Sequence, residues 1–208
     1  MRAPSALAAL VAAAAGVTAQ QTAYGQWYSQ CVPGGSPGPT ASSGGSTPTG
    51  TGTAPGAKAT LVGDNLWIRA VADPNFHKYL QSSPSNAAGV AVMDDASTAG
   101  QFTVTDGQLV LKAGSADLYG IVNSTVIGPN EGRLAVTFST SKNEYGSFKF
   151  SGDALQWSVA GVTRPNESAW LVCAGQELFV NLGNYGYQTP EGCADQTIHY
   201  YNGATADV

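Results

Sequence analysis

From about Thr60 onward the chain is written in short runs whose apolar residues recur at every second position. Phe102-Thr-Val104 and Leu109-Val-Leu111 flank Asp106-Gly107; Leu134, Val136 and Phe138 alternate; Phe148 and Phe150 are followed by Leu155, Trp157 and Val159 across Gly152-Asp153. Trp170, Val172, Leu178, Val180 and Leu182 carry the rhythm past Gly175. A period of two places alternate side chains on one face of a strand, so these runs predict half-buried β-strands. Asp-Gly between two such runs is a strong two-residue hairpin signal. No stretch shows a helical period with caps, and helix should be scarce. The sequence therefore predicts an all-β domain over residues 59–208.

A weak internal repeat refines that expectation. Gln101-Phe-Thr-Val-Thr-Asp-Gly-Gln-Leu, Ser147-Phe-Lys-Phe-Ser-Gly-Asp-Ala-Leu and Thr197-Ile-His-Tyr-Tyr-Asn-Gly each set an apolar strand before a glycine turn, at spacings of 46 and 50 residues. Three such units suit a β-trefoil. Leu66-Trp-Ile-Arg-Ala-Val, followed by His77-Lys-Tyr-Leu80, also resembles the opening strand pair of a trefoil repeat. The Gln-x-Trp signature of ricin-type lectins is absent, and a β-sandwich has hairpins at comparable intervals. The trefoil is preferred over the sandwich by a small margin.

Before Thr60 the pattern is different. Met1 to Ala19 has Arg2 in a short leading region, an alanine-rich apolar run and Val17-Thr-Ala19 as a small-residue cleavage site, the layout of a secretory signal peptide. The run is too short to span a bilayer, and the expectation is a secreted, extracellular protein, associated with a cell wall and without a membrane partner. From Pro33 to Lys58 the composition falls to Gly, Ser, Thr, Pro and Ala, which predicts a flexible linker suited to O-glycosylation.

Between signal and linker lies Gln21-Thr-Ala-Tyr-Gly-Gln26, followed directly by Trp27-Tyr-Ser-Gln-Cys31. The first segment resembles the opening of a fungal family 1 carbohydrate-binding module, and the second is similar to its closing aromatic-aromatic-Ser-Gln-Cys. The middle of the module is missing. The resemblance implies a truncated cellulose-binding module over residues 20–32, with Tyr24, Trp27, Tyr28 and Gln30 as the carbohydrate-binding positions. A segment this short cannot bury a core, and small modules of this kind depend on disulfides. The linker and its position are also those of fungal plant-polysaccharide proteins.

Charge and cysteine content narrow the field. Charged residues make up 11% of the chain and the net charge is −5, which offers no basic face for nucleic acid. Three cysteines leave an odd one; Cys173 and Cys193 share a compact region and form the natural pair, closing a loop worth roughly 3 kcal/mol in the chain-entropy estimate. Cys31 is the leftover thiol. No Cys-x-x-Cys occurs and His77 and His199 are far apart, so neither a zinc site nor another cofactor is called for.

Candidate chemistry is sparse. Asp94-Asp95 could supply one carboxylate of a glycosidase pair, but adjacent acids among small residues more often mark a solvated turn. His77 and His199 could be acid-base residues, though strand histidines with one satisfied hydrogen bond are commoner. There is no Gly-x-Ser-x-Gly elbow, and no N-terminal histidine after the signal for a copper monooxygenase. Tyr185, Tyr187, Tyr200 and Tyr201, interleaved with Asn181, Asn184 and Gln188 around the Cys173–Cys193 loop, are what a glycan site uses, although half of them could simply cover the sheet. Trp67, Trp157 and Trp170 read as core. Asn123-Ser-Thr125 and Asn166-Glu-Ser168 are N-glycosylation acceptors on exposed loops. Ala169 to Cys173 and Leu178 to Asn181 are also weakly similar to the C-terminal part of fungal secreted wall proteins of the phialide type, which implies a non-enzymatic wall protein.

Three expectations follow. The preferred one is a secreted carbohydrate-binding protein that acts at cellulose or cell-wall glycan through a non-catalytic β domain. The others are a cellulose-targeted enzyme with an unrecognised active site and a structural wall protein.

Overall fold

The computed structural model describes residues 59–128 and 132–207. The signal peptide, the module remnant with Tyr24, Trp27, Tyr28 and Gln30, Cys31, and the linker as far as Lys58 lie outside the described residues. Within them the chain is all-β, and the only helical elements are two three-residue 3-10 turns, Ala96–Thr98 and Ala174–Gln176.

Thirteen strands form one connected sheet that nearly closes on itself. Six of them make a ring: β1 (Trp67–Ala70), β4 (Phe102–Thr105), β5 (Gln108–Lys112), β8 (Ser147–Ser151), β9 (Ala154–Ser158) and β13 (Ile198–Tyr201). β4/β5, β8/β9 and β13/β1 are antiparallel ladders. The joins between those pairs are thinner. Leu66 and Phe102 exchange backbone bonds of 2.8 Å each way, Phe148 N–H donates to Gly107 O at 2.8 Å, and Tyr200 N–H donates to Asp153 O at 2.9 Å.

Three further hairpins sit on this ring: β2 (Tyr79–Ser83) with β3 (Gly89–Asp94), β6 (Asp117–Ile127) with β7 (Arg133–Ser139), and β10 (Trp170–Val172) with β11 (Leu178–Asn181). They also meet one another, through β3–β7 and β7–β11 pairing and a bridge between Val92 and Glu177. The last strand, β12 (Ala194–Gln196), pairs with β10.

The alternation read in the sequence is the device that builds the core. Leu134, Val136 and Phe138 on β7 are buried while Arg133, Ala135, Thr137 and Ser139 are not. Trp67, Trp157 and Trp170 have no exposed surface, as their positions predicted. Each large side chain withdrawn from water contributes about 1.5–3 kcal/mol. The Asp106-Gly107 turn joins β4 to β5 with both residues at positive φ, 50° and 74°, which is the geometry that two-residue hairpins demand and that Asp-Gly tolerates.

The three sequence units map onto the three ring pairs. Two are contiguous hairpins, β4/β5 and β8/β9. In the third, β13 pairs with β1 from the start of the domain, in register from Trp67↔Tyr201 to Ala70↔Ile198.

That junction is sealed by a second, smaller core of Trp67, Tyr79, Ala96 and Ala206. Trp67 Nε1 donates to Gly203 O at 3.0 Å, and the Asp207 carboxylate accepts from Tyr79 Oη at 2.8 Å, Arg69 Nη1 at 3.0 Å and Tyr201 Oη at 3.2 Å. These donors, the Tyr79 hydroxyl first, hold the Asp207 carboxyl below the ordinary carboxylate range.

Candidate functional site

Strand register assembles one concave feature of the domain. Ile127 on β6 lies opposite Arg133 on β7, and Arg133 lies opposite Asn181 on β11. Directly opposed residues of antiparallel strands project from the same face, so three side chains distant in sequence form one row. That row, with Gly128 and Gly132 at its end, floors a cavity of about 400 Å³ whose wall is the segment Tyr187 to Glu191. The volume lies within the range of about 300–1,000 Å³ typical of small-ligand pockets.

The wall is held at both ends. Cys173 and Cys193 form a disulfide, one position beyond the paired residues Val172 and Ala194 of β10 and β12. Asp195 on β12 accepts from Asn181 Nδ2 at 2.8 Å and from the Thr189 hydroxyl. Asn181 in turn accepts the Gly183 N–H at 2.7 Å, so one buried amide fixes the start of the loop and the acid that fixes its middle. Gln188 takes a left-handed backbone, φ 52°, between Gly186 and Gly192, which do the same at 71° and 74°. These turns leave Tyr187 63% exposed beside the cavity, whose lining also includes the exposed Ile127. An aromatic ring this open costs solvation and gains nothing for the core.

Arg133 supplies the charge. Its guanidinium lies over the Phe179 ring, 4.9 Å from the centroid. Among the described residues no carboxylate lies within ion-pair distance of it, and its solvent-closed Nε has no hydrogen-bond acceptor.

The other candidates resolve differently. Asp94 and Asp95 are exposed and share Lys78, at 3.6 and 3.5 Å, as a solvated turn would. His199 lies on β13, 3.1 Å from Asp153. His77 is in the turn before β2, at φ 59°, with its ring stacked on Phe76, so only one of the two histidines is on a strand. The tyrosine group is split. Tyr187 lines the cavity with Asn181 and Gln188, Tyr185 is exposed nearby in sequence, and Tyr200 and Tyr201 belong to β13, where they pack on Phe150 and Arg69.

Asn123 is exposed but lies within β6, where the pairing with β7 shifts register between Val122 and Val126, and not on a loop as expected; its Oδ1 accepts the Thr125 N–H at 2.9 Å. Asn166 is half-buried and accepts the Ser168 N–H at 2.8 Å. Among the described residues no three metal-ligating side chains converge, and no helix is long and apolar enough to cross a membrane.

Two arginines escaped the sequence reading. Arg133 opens β7 on the face that alternation marks as polar, and nothing local says that Asn181, 48 positions later, lies beside it. Arg164 is buried, donating to Asn181 O at 2.9 Å, Trp157 O at 2.7 Å and Ala169 O at 2.5 Å. Burial lowers its pKa to about 10. No protein family, curated protein or solved structure matches this chain.

Proposed function

We propose that this is a secreted carbohydrate-binding protein, acting at cellulose or cell-wall glycan through a non-catalytic β domain. The observation that carries the reading is the cavity beside β11, where an exposed tyrosine ring on a disulfide-braced loop shares the lining with amide, hydroxyl and guanidinium groups. Sugars offer apolar C–H faces ringed by hydroxyls, and an aromatic platform flanked by polar groups matches both parts. Tyr24, Trp27, Tyr28 and Gln30 form a second, cellulose-facing element on this reading, joined to the domain by the linker. The ring of six strands and three mutually paired hairpins supports a β-trefoil as the scaffold.

The test is retention on insoluble cellulose and on isolated fungal and plant cell walls, comparing the full chain with Tyr187→Ala and with a Tyr24→Ala/Trp27→Ala/Tyr28→Ala variant. The reading expects Tyr187→Ala to weaken wall retention and the triple variant to weaken cellulose retention. Unchanged retention by both variants would defeat it.

A further inference from the structure

We infer that the cavity between Arg133 and Tyr187 recognises an acidic sugar, a uronate whose ring carboxylate is received by the Arg133 guanidinium. The inference rests on the carbohydrate-binding reading and specifies the class of glycan.

The cavity's polar lining is unequal. Asn181 and Thr189 have committed their side chains to Gly183 and Asp195, so they shape the site more than they can serve a ligand. Gln188 is open, but its amide has no charge. Arg133 lines the cavity and among the described residues has no ion-pair partner, so the charge it brings there is unmatched. A planar fork of this kind matches a carboxylate through two parallel hydrogen bonds, and no neutral hydroxyl satisfies it as well. Phe179 beneath the guanidinium holds it by cation–π contact and keeps its plane from swinging. Tyr187, exposed on the facing wall, is placed to stack on the sugar ring that bears the carboxylate.

Two acids bear on the site. Asp195 is engaged by Asn181 and Thr189, while Glu191 is an exposed lining residue without an ion-pair partner among the described residues. Glu191 therefore opposes an anion from the rim. The chain's net charge of −5 does the same at long range, so recognition must come from the local fork and not from a general field.

The experiment is calorimetric titration of the full chain with trigalacturonate and with its fully methyl-esterified form, which keeps the sugar and removes the charge. The acid should bind roughly tenfold or more tightly than the ester, in proportion to a charge-assisted hydrogen bond. Arg133→Gln should abolish that difference, Arg133→Lys should keep part of it, and Glu191→Gln should tighten binding of the acid alone. Tyr187→Ala should weaken acid and ester alike. Equal affinity for acid and ester, with both still dependent on Tyr187, would overturn the uronate assignment and leave the carbohydrate reading standing. No binding of either form, together with no retention on walls or cellulose, would remove both. Undiminished preference for the acid in Arg133→Gln, with its fold verified by a cooperative unfolding transition, would also overturn the assignment.

Discussion

Arg164 and Arg133 are the same residue type and both meet Asn181 at the end of β11, one by a hydrogen bond and one by strand pairing, yet their surroundings are opposite. Arg164 is buried and has placed its donors on three backbone carbonyls, from Trp157, Ala169 and Asn181, with Trp157 also within cation–π range at 5.8 Å. It fastens the loop after β9 to the start of β10 and the end of β11. Arg133 lines the cavity, and among the described residues no carboxylate pairs with it. A buried cation whose donors meet backbone carbonyls belongs to the architecture, whereas the unpaired one at the concave surface is, on the uronate proposal, the ligand's partner. The contrast makes definite demands on the two residues.

The largest effect should come from Arg164→Met. Removing the guanidinium takes charge-assisted donors from carbonyls that water cannot reach, and the cost should be roughly 3 kcal/mol or more in equilibrium urea unfolding. Arg164→Lys should recover only part, because one ammonium cannot fork to three acceptors. A loss below about 1 kcal/mol would erase the architectural half of the comparison.

Next comes the disulfide. The 20-residue separation of Cys173 and Cys193 predicts a loss of about 2–4 kcal/mol on reduction. Because that bond closes the segment carrying Tyr187 to Glu191, reduction should weaken ligand binding as well as stability. Intact binding by reduced, still-folded protein would show that the wall is held by Asp195 alone.

A smaller effect belongs to Asp207. Its folded pKa lies below that of a free carboxylate, so its contribution is complete above the unfolded value near about 4 and is lost as pH falls through the lower folded value. Asp207→Asn should therefore lower the thermal midpoint modestly at neutral pH and flatten its decline in acid. The side chain is 42% exposed, which keeps the effect small. A variant whose acid limb matched the parent's would put the pH dependence elsewhere.

The smallest stability effect should be that of Arg133→Gln, about 1 kcal/mol or less, since only the contact with Phe179 is lost. A cost comparable to that of Arg164→Met would mean that both arginines are architectural.

The parts of this molecule legible in its sequence are those set by local pattern. Alternation gave the strands and the buried face of β7. Asp106-Gly107 marked its hairpin because few dipeptides accept two positive φ values. The lone plausible cysteine pair proved correct because Cys173 and Cys193 follow the register of β10 and β12. What local pattern cannot convey is long-range register. Tyr200 and Tyr201 looked like partners of Tyr185 and Tyr187 by sequence distance, yet β13 pairs with β1 and carries them to another surface. The row Ile127, Arg133, Asn181 exists only once β6, β7 and β11 are aligned, so half of the cavity was visible as loop tyrosine and amides while its charge was not.

Chemical-shift mapping with trigalacturonate on the isotope-labelled full chain tests the central claim most directly, because it locates the ligand without relying on any variant. The account predicts saturable shifts concentrated at Ile127, Gly128, Gly132, Arg133, Asn181 and the segment Tyr187 to Glu191, with the Arg133 Nε–H resonance among the most displaced. Shifts centred on another surface, or none at these residues while the ligand binds, would contradict it.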